Sequence, residues 1–154
     1  MTTRAYLLIA TGVFITAVTG SDLIARMTIA GNPLGVALAE HLHWASLTVA
    51  GIAFLFVPFV GVAFICGSAN RRTKTRSAVA LFVVALAVLA YFYYGGFQAS
   101  QHAMLDKKWT AAALSIGLLP FFIGLPLLGV VAIAAAVLVL IDRRETVQAA
   151  SLNS

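Results

Sequence analysis

The stretch "ASLTVAGIAFLFVPFVGVAFIC", residues 45–66, runs for 22 positions without an Asp, Glu, Lys or Arg. As a helix rising ~1.5 Å per residue it would extend ~33 Å, enough to cross a hydrocarbon core of ~30 Å. The run is continuous rather than alternating, so it does not suit a barrel strand. The whole chain has the same character: 154 residues, 62% hydrophobic and 10% charged, with a mean hydropathy of +1.01. A water-facing surface calls for roughly 25% charged residues, so the solvent this chain is written for is lipid.

Three more apolar runs flank the first. Residues 5–21 follow Arg4 with "AYLLIATGVFI", which has the look of a secretory signal and is read as a retained first span. Residues 77–97 form the third, and residues 120–141 the fourth. The resulting class is an all-α integral membrane protein, a bundle of four transmembrane helices forming one domain over residues 1–145. A polar C-terminal tail, residues 146–154, follows and is expected to fray.

Charge placement gives the orientation. "RRTKTR", residues 71–76, joins the second and third spans. Four spans put it on the same side as Arg4, Arg143 and Arg144. That side carries seven of the ten basic residues, leaving Arg26, Lys107 and Lys108 for the other. Short basic loops stay in the cytoplasm, so both termini are expected there, in a bacterial inner membrane. The net charge of +5 is explained by topology, with no nucleic-acid partner, and the basic loop also suits anionic lipid. The single cysteine, Cys66, excludes an intrachain disulfide and reads as a small buried hydrophobe.

The fourth apolar segment, residues 110–141, is too long for one crossing, because 32 helical residues reach ~48 Å. Pro120 and Pro126, in "LLPFFIGLPLLG", are expected to kink it and to act as a hinge. The preceding "TAAALSIGLL" would then stand outside the hydrocarbon layer. "LIARMTIAG", "PLGVALAEHLHW" and "QASQHAMLD" let the other helices reach equally far. The expectation is therefore a bundle extended beyond the membrane on its outer side, with a proline-kinked fourth helix. Lipid gives helices no hydrophobic reason to associate, so small residues should mark the packing face. Gly12, Thr16 and Gly20 lie at four-residue spacing on one face of the first span. Trp44, Trp109, Tyr91, Tyr93 and Tyr94 are read as interface anchors.

All three histidines, His41, His43 and His102, fall on the predicted outer side with Asp22, Glu40 and Asp106. Glu40 and His43 share a helix face, whereas His41 points ~160° away from His43. His102 and Asp106, four apart, can meet along one face. One reading is a transition-metal site for zinc, copper or non-haem iron, with His43, His102, Glu40 and Asp106 as donors and His41 and Met104 nearby. The plainer reading is a set of solvated helix ends. In it, Glu40 and His43 cap the helix, His41 faces water or a partner, and Asp22 and Arg26 form a surface ion pair.

The absences matter as much. No ionisable residue sits mid-span, where proton relays and coupled transporters need one. The first span lacks the glutamate expected of small four-helix drug exporters. The Arg, Asn and Glu inside the spans of membrane glutathione-transferase-like proteins are missing too. No histidine lies at the depth needed to hold haem b, and no phosphate-binding glycine loop occurs. The leading expectation is a non-catalytic membrane protein working by contact, as a homo-oligomer or as an accessory subunit of an inner-membrane complex. Its partners would be the bilayer and other membrane subunits or itself. The alternatives are a metal-binding protein or enzyme using the outer face, and a small channel or carrier hinged at Pro120 and Pro126.

Overall fold

A computed structural model describes residues 2–73 and 77–151; Lys74 and Arg76 of the basic loop lie outside the described residues, as do positions 152–154 of the tail. Six α-helical segments are found among the described residues: α1 (Thr3–Thr28), α2 (Leu34–Leu47), α3 (Val49–Arg72), α4 (Ser77–Leu105), α5 (Trp109–Gly117) and α6 (Leu125–Ser151), with a π-helical turn at Pro120–Gly124. Helix α6 carries the tail as far as Ser151.

Four apolar helices are long enough to cross a membrane: α1, α3, α4 and the 34-residue run Trp109–Asp142 that contains α5, the π turn and the start of α6. Helices α1 and α4 continue well past residues 21 and 97, as their flanking sequences suggested. The second span differs in one respect. Residues 45–47 finish α2, and α3 begins only after Thr48, whose φ of −117° and ψ of 30° break the helix. The Thr48 amide and hydroxyl both donate to the Trp44 carbonyl, at 3.0 and 2.7 Å. Thr11 and Thr16 make the same hydroxyl bond inside an unbroken α1, so the break lies in the Thr48 backbone angles and not in this bond.

In the fourth arm the two prolines remove two ladder donors. Leu125 N–H reaches back to Pro120 O, five residues away, and this wide turn leads into α6. Pro120 opens the π turn and Pro126 sits in the first turn of α6.

The core is an aromatic column between α1, α3 and α4. Tyr6 meets Phe82 with centroids 4.6 Å apart, Phe14 meets Phe59 at 5.3 Å, and Phe59 stands perpendicular to Tyr93 at 5.2 Å. Tyr93 is therefore no interface anchor. It is 0% exposed, and its hydroxyl donates to the Leu55 carbonyl at 2.7 Å. Tyr91 and Tyr94 do face outward, as does Trp109, while Trp44 is half-buried.

Glycine sets the closest approaches. A Cβ built on Gly124 would lie 2.4 Å from Pro58 Cγ, and one on Gly61 would lie 2.6 Å from Leu128 Cδ2, so α3 crosses the fourth arm at these two points. Because the Pro58 ring cannot swing away, Gly124→Ala should cost about 1–3 kcal/mol, the usual penalty for overpacking. Its thermal midpoint in detergent should fall. Gly129→Ala, where an added Cβ meets nothing within 4 Å, should leave the midpoint unchanged or higher.

Candidate functional site

The polar residues gather where the last two turns of α1 meet α2. Ser21, Asp22 and Ala25 are the buried positions there on α1, and Ala37 and His41 are the buried positions of α2. The chain turns between the helices at Gly31, whose φ of +72° is a left-handed conformation that glycine adopts without strain. Asn32 N–H then donates to Arg26 O at 3.1 Å, closing the turn.

Asp22 is the hub. Its Oδ2 accepts from Arg26 Nε at 2.8 Å and pairs with His41 Nδ1 at 2.8 Å. Arg26 then donates from a terminal nitrogen to Glu40 Oε2 at 2.7 Å, and Asn32 Nδ2 donates to the same oxygen at 3.0 Å. Sequence spacing identifies the Asp22–Arg26 pair, but it does not lie at the surface: the side chains are 3% and 11% exposed. His41 likewise does not face water. It is 6% exposed and turned onto α1. A carboxylate beside a guanidinium only accepts, so His41 Nδ1 carries the proton and Nε2 keeps its lone pair when the ring is neutral. The network sets two carboxylates against one guanidinium.

His41 also leans on Trp44, with centroids 5.8 Å apart, and Trp44 meets Phe97 edge-on at 5.8 Å. The polar network thus abuts the aromatic core through one indole ring.

The other sequence-picked residues are dispersed. His43 and His102 are exposed. Asp106 pairs with Lys108 at 3.0 Å, and it meets His102 through the backbone helical bond, Asp106 N to His102 O. Met104 is half-buried along an apolar groove shared with Trp44 and Trp109. Among the described residues, no three of His, Cys, Asp and Glu come together in a way that could hold a metal ion. Asn32 was missed by the sequence reading, although "GNP" after a helix is a turn signal whose Asn commonly bonds nearby groups.

The fold and site define a class: an all-helical chain with four helices apolar enough to cross a membrane, compatible with a small integral membrane protein, and a buried ionic network at one end of the bundle. Compared with known proteins, the chain matches no family model, no curated protein and no solved structure.

Removing one partner from a buried ion pair strands the others and costs ~3–5 kcal/mol, whereas an exposed pair is worth under ~1 kcal/mol. Asp22→Ala should therefore lower the thermal midpoint in detergent sharply. Glu40→Ala, at a side chain 45% exposed, should lower it only slightly.

Proposed function

We propose that the chain is a non-catalytic integral membrane protein of a bacterial inner membrane. It works by helix-to-helix contact, as a homo-oligomer or as a subunit of a larger assembly. The observation that carries this reading is the direction of the Gly12–Thr16–Gly20 face. The buried side of α1 runs through Tyr6, Ala10, Phe14 and Val18. Gly12 and Gly20 lie off that side, and a Cβ on either would meet nothing within 4 Å. A small-residue face left unused within the bundle suits the close backbone approach by which helices associate in lipid. The fourth arm adds support, burying only 17% of an 18-residue apolar stretch against 28–33% for the corresponding stretches of the other three.

Gly12→Leu with Gly20→Leu should leave the fold intact, because an added Cβ at either position meets nothing within 4 Å, but raise the dissociation constant of the native assembly at least about tenfold, or ~1.4 kcal/mol. Native mass spectrometry after gentle detergent extraction reads the change. A wild-type chain that leaves the membrane as a lone monomer overturns the proposal.

In the proposed orientation the basic end, with Arg4, Arg71 and Arg72, faces the cytoplasm, and the Asp22 network faces outward. In a Cys66→Ser background, an impermeant maleimide added to whole cells should label Lys107→Cys and spare Arg72→Cys. The reverse pattern inverts the topology.

A further inference from the structure

Between the α2–α3 arm on one side and the α4–α5 arm on the other lies a groove of about 570 Å³. Phe54, Leu55, Ile116 and Met104 line it, Gly51 and Ala112 keep it wide, and Trp44 and Trp109 stand in its wall. Its volume falls in the range of ~300–1,000 Å³ typical of small-molecule sites. Two features distinguish it from an unoccupied helix face. Both indoles of the chain border it, and neither ring N–H donates a hydrogen bond to any described residue. Its end also meets the α4–α5 turn, since Met104 and Trp109, on either side of that turn, both line it.

The charges of that turn are unequally used. Lys108 Nζ pairs with Asp106 at 3.0 Å, whereas Lys107, held at a φ of 60°, is exposed and pairs with no acid among the described residues. Arg26 is fully engaged by Asp22 and Glu40. Lys107 is thus an unclaimed ammonium on the turn that joins two walls of the groove, Met104 and Trp109, and both indoles there lack an acceptor among the described residues. An acyl chain fits the slot, ester oxygens fit the indole N–H groups, and a phosphate fits the ammonium.

We propose that the groove is a lipid site that seats one acyl chain of an anionic diacyl phospholipid, with its phosphate at Lys107. The site rests on the membrane placement but not on assembly, so it stands if the chain proves monomeric.

The two tryptophans are the chain's only ones, so their fluorescence reports the groove. Both indoles are kept, since each belongs to the proposed site, and their summed emission is read. The protein is placed in bilayers of unbrominated phosphatidylcholine, doped with chain-brominated phosphatidylglycerol or chain-brominated phosphatidylcholine. At low doping, the phosphatidylglycerol should quench this emission with about fivefold higher apparent affinity, the enrichment that one lysine near a surface gives. Lys107→Gln should erase that preference. Gly51→Leu should remove the preferential quenching while leaving helicity by circular dichroism intact, since its Cβ meets only Thr48 Cβ, at 3.9 Å. If Gly51→Leu loses helicity, Gly117→Leu decides instead, since it lines the same groove and its added Cβ meets nothing within 4 Å. Equal quenching by both lipids, unchanged by the filling variant, would reduce the groove to bulk bilayer contact and overturn the site. So would absent quenching together with cross-links between copies at position 51, which would make the occupant a second chain.

Discussion

Helices apolar enough to cross a membrane have to satisfy their backbone within themselves, and this constraint organises the molecule. The central parts of α1 and α4 keep an unbroken ladder. The ladder loses a donor at Pro58 inside α3 and changes course at Thr48 and at Pro120–Gly124, where the Thr48 amide still bonds Trp44 O and Leu125 N–H bonds Pro120 O. Thr48 and Pro120 both border the groove beside Trp44. Two of the departures from regular helix thus lie where α3 and α5 part, and Pro58 lies at the crossing with Gly124.

The shape between α3 and the fourth arm follows from where glycine lies. The two come closest at Pro58–Gly124 and Gly61–Leu128. On one side of that crossing they part around the groove at Gly51 and Phe54, and on the other around a second cleft, about 550 Å³, lined by Phe64, Arg72 and Leu140. A tight crossing with a cleft on each side is what two long helices give when small residues let them touch at one level and larger side chains hold them apart elsewhere. Tyr93 steadies the same level from α4, bracing α3 through Phe59 and the Leu55 carbonyl.

Much of this was legible in the sequence, and what was not has identifiable reasons. The four apolar helices were readable because charge-free runs of that length have few alternatives. The Asp22–Arg26 pair was readable from its four-residue spacing. Its burial was not, because that depends on α2 folding back antiparallel on α1, which brings His41 to Asp22 over 19 positions of chain. Tyr93 sits in "YFYY", where composition cannot say which of four adjacent aromatics turns inward; only the register of α4 against α3 decides. The Thr48 break was hidden because a threonine in an apolar run carries no break signal of its own: Thr11 and Thr16 make the same hydroxyl bond four residues back inside an unbroken α1.

The ionic network looks costly for a chain otherwise so apolar, since burying charge must overcome desolvation. Its placement supplies the reason. Helix α2 has only Ala37 and His41 fully buried, while Leu34, Val36, Leu38 and Leu42 remain exposed. Apolar contact of that kind specifies register poorly, because sliding α2 along α1 would trade one alanine or leucine for another. Directional bonds cannot slide: Asp22 Oδ2 accepts from His41 and Arg26 at 2.8 Å each, and Glu40 takes the far side of the same guanidinium at 2.7 Å. Slipping α2 by one residue would remove all the interhelical partners together. The register fixed there also sets Trp44 against Phe97 and beside the groove, so the few charges of the α1–α2 hairpin determine the shape of its apolar neighbour.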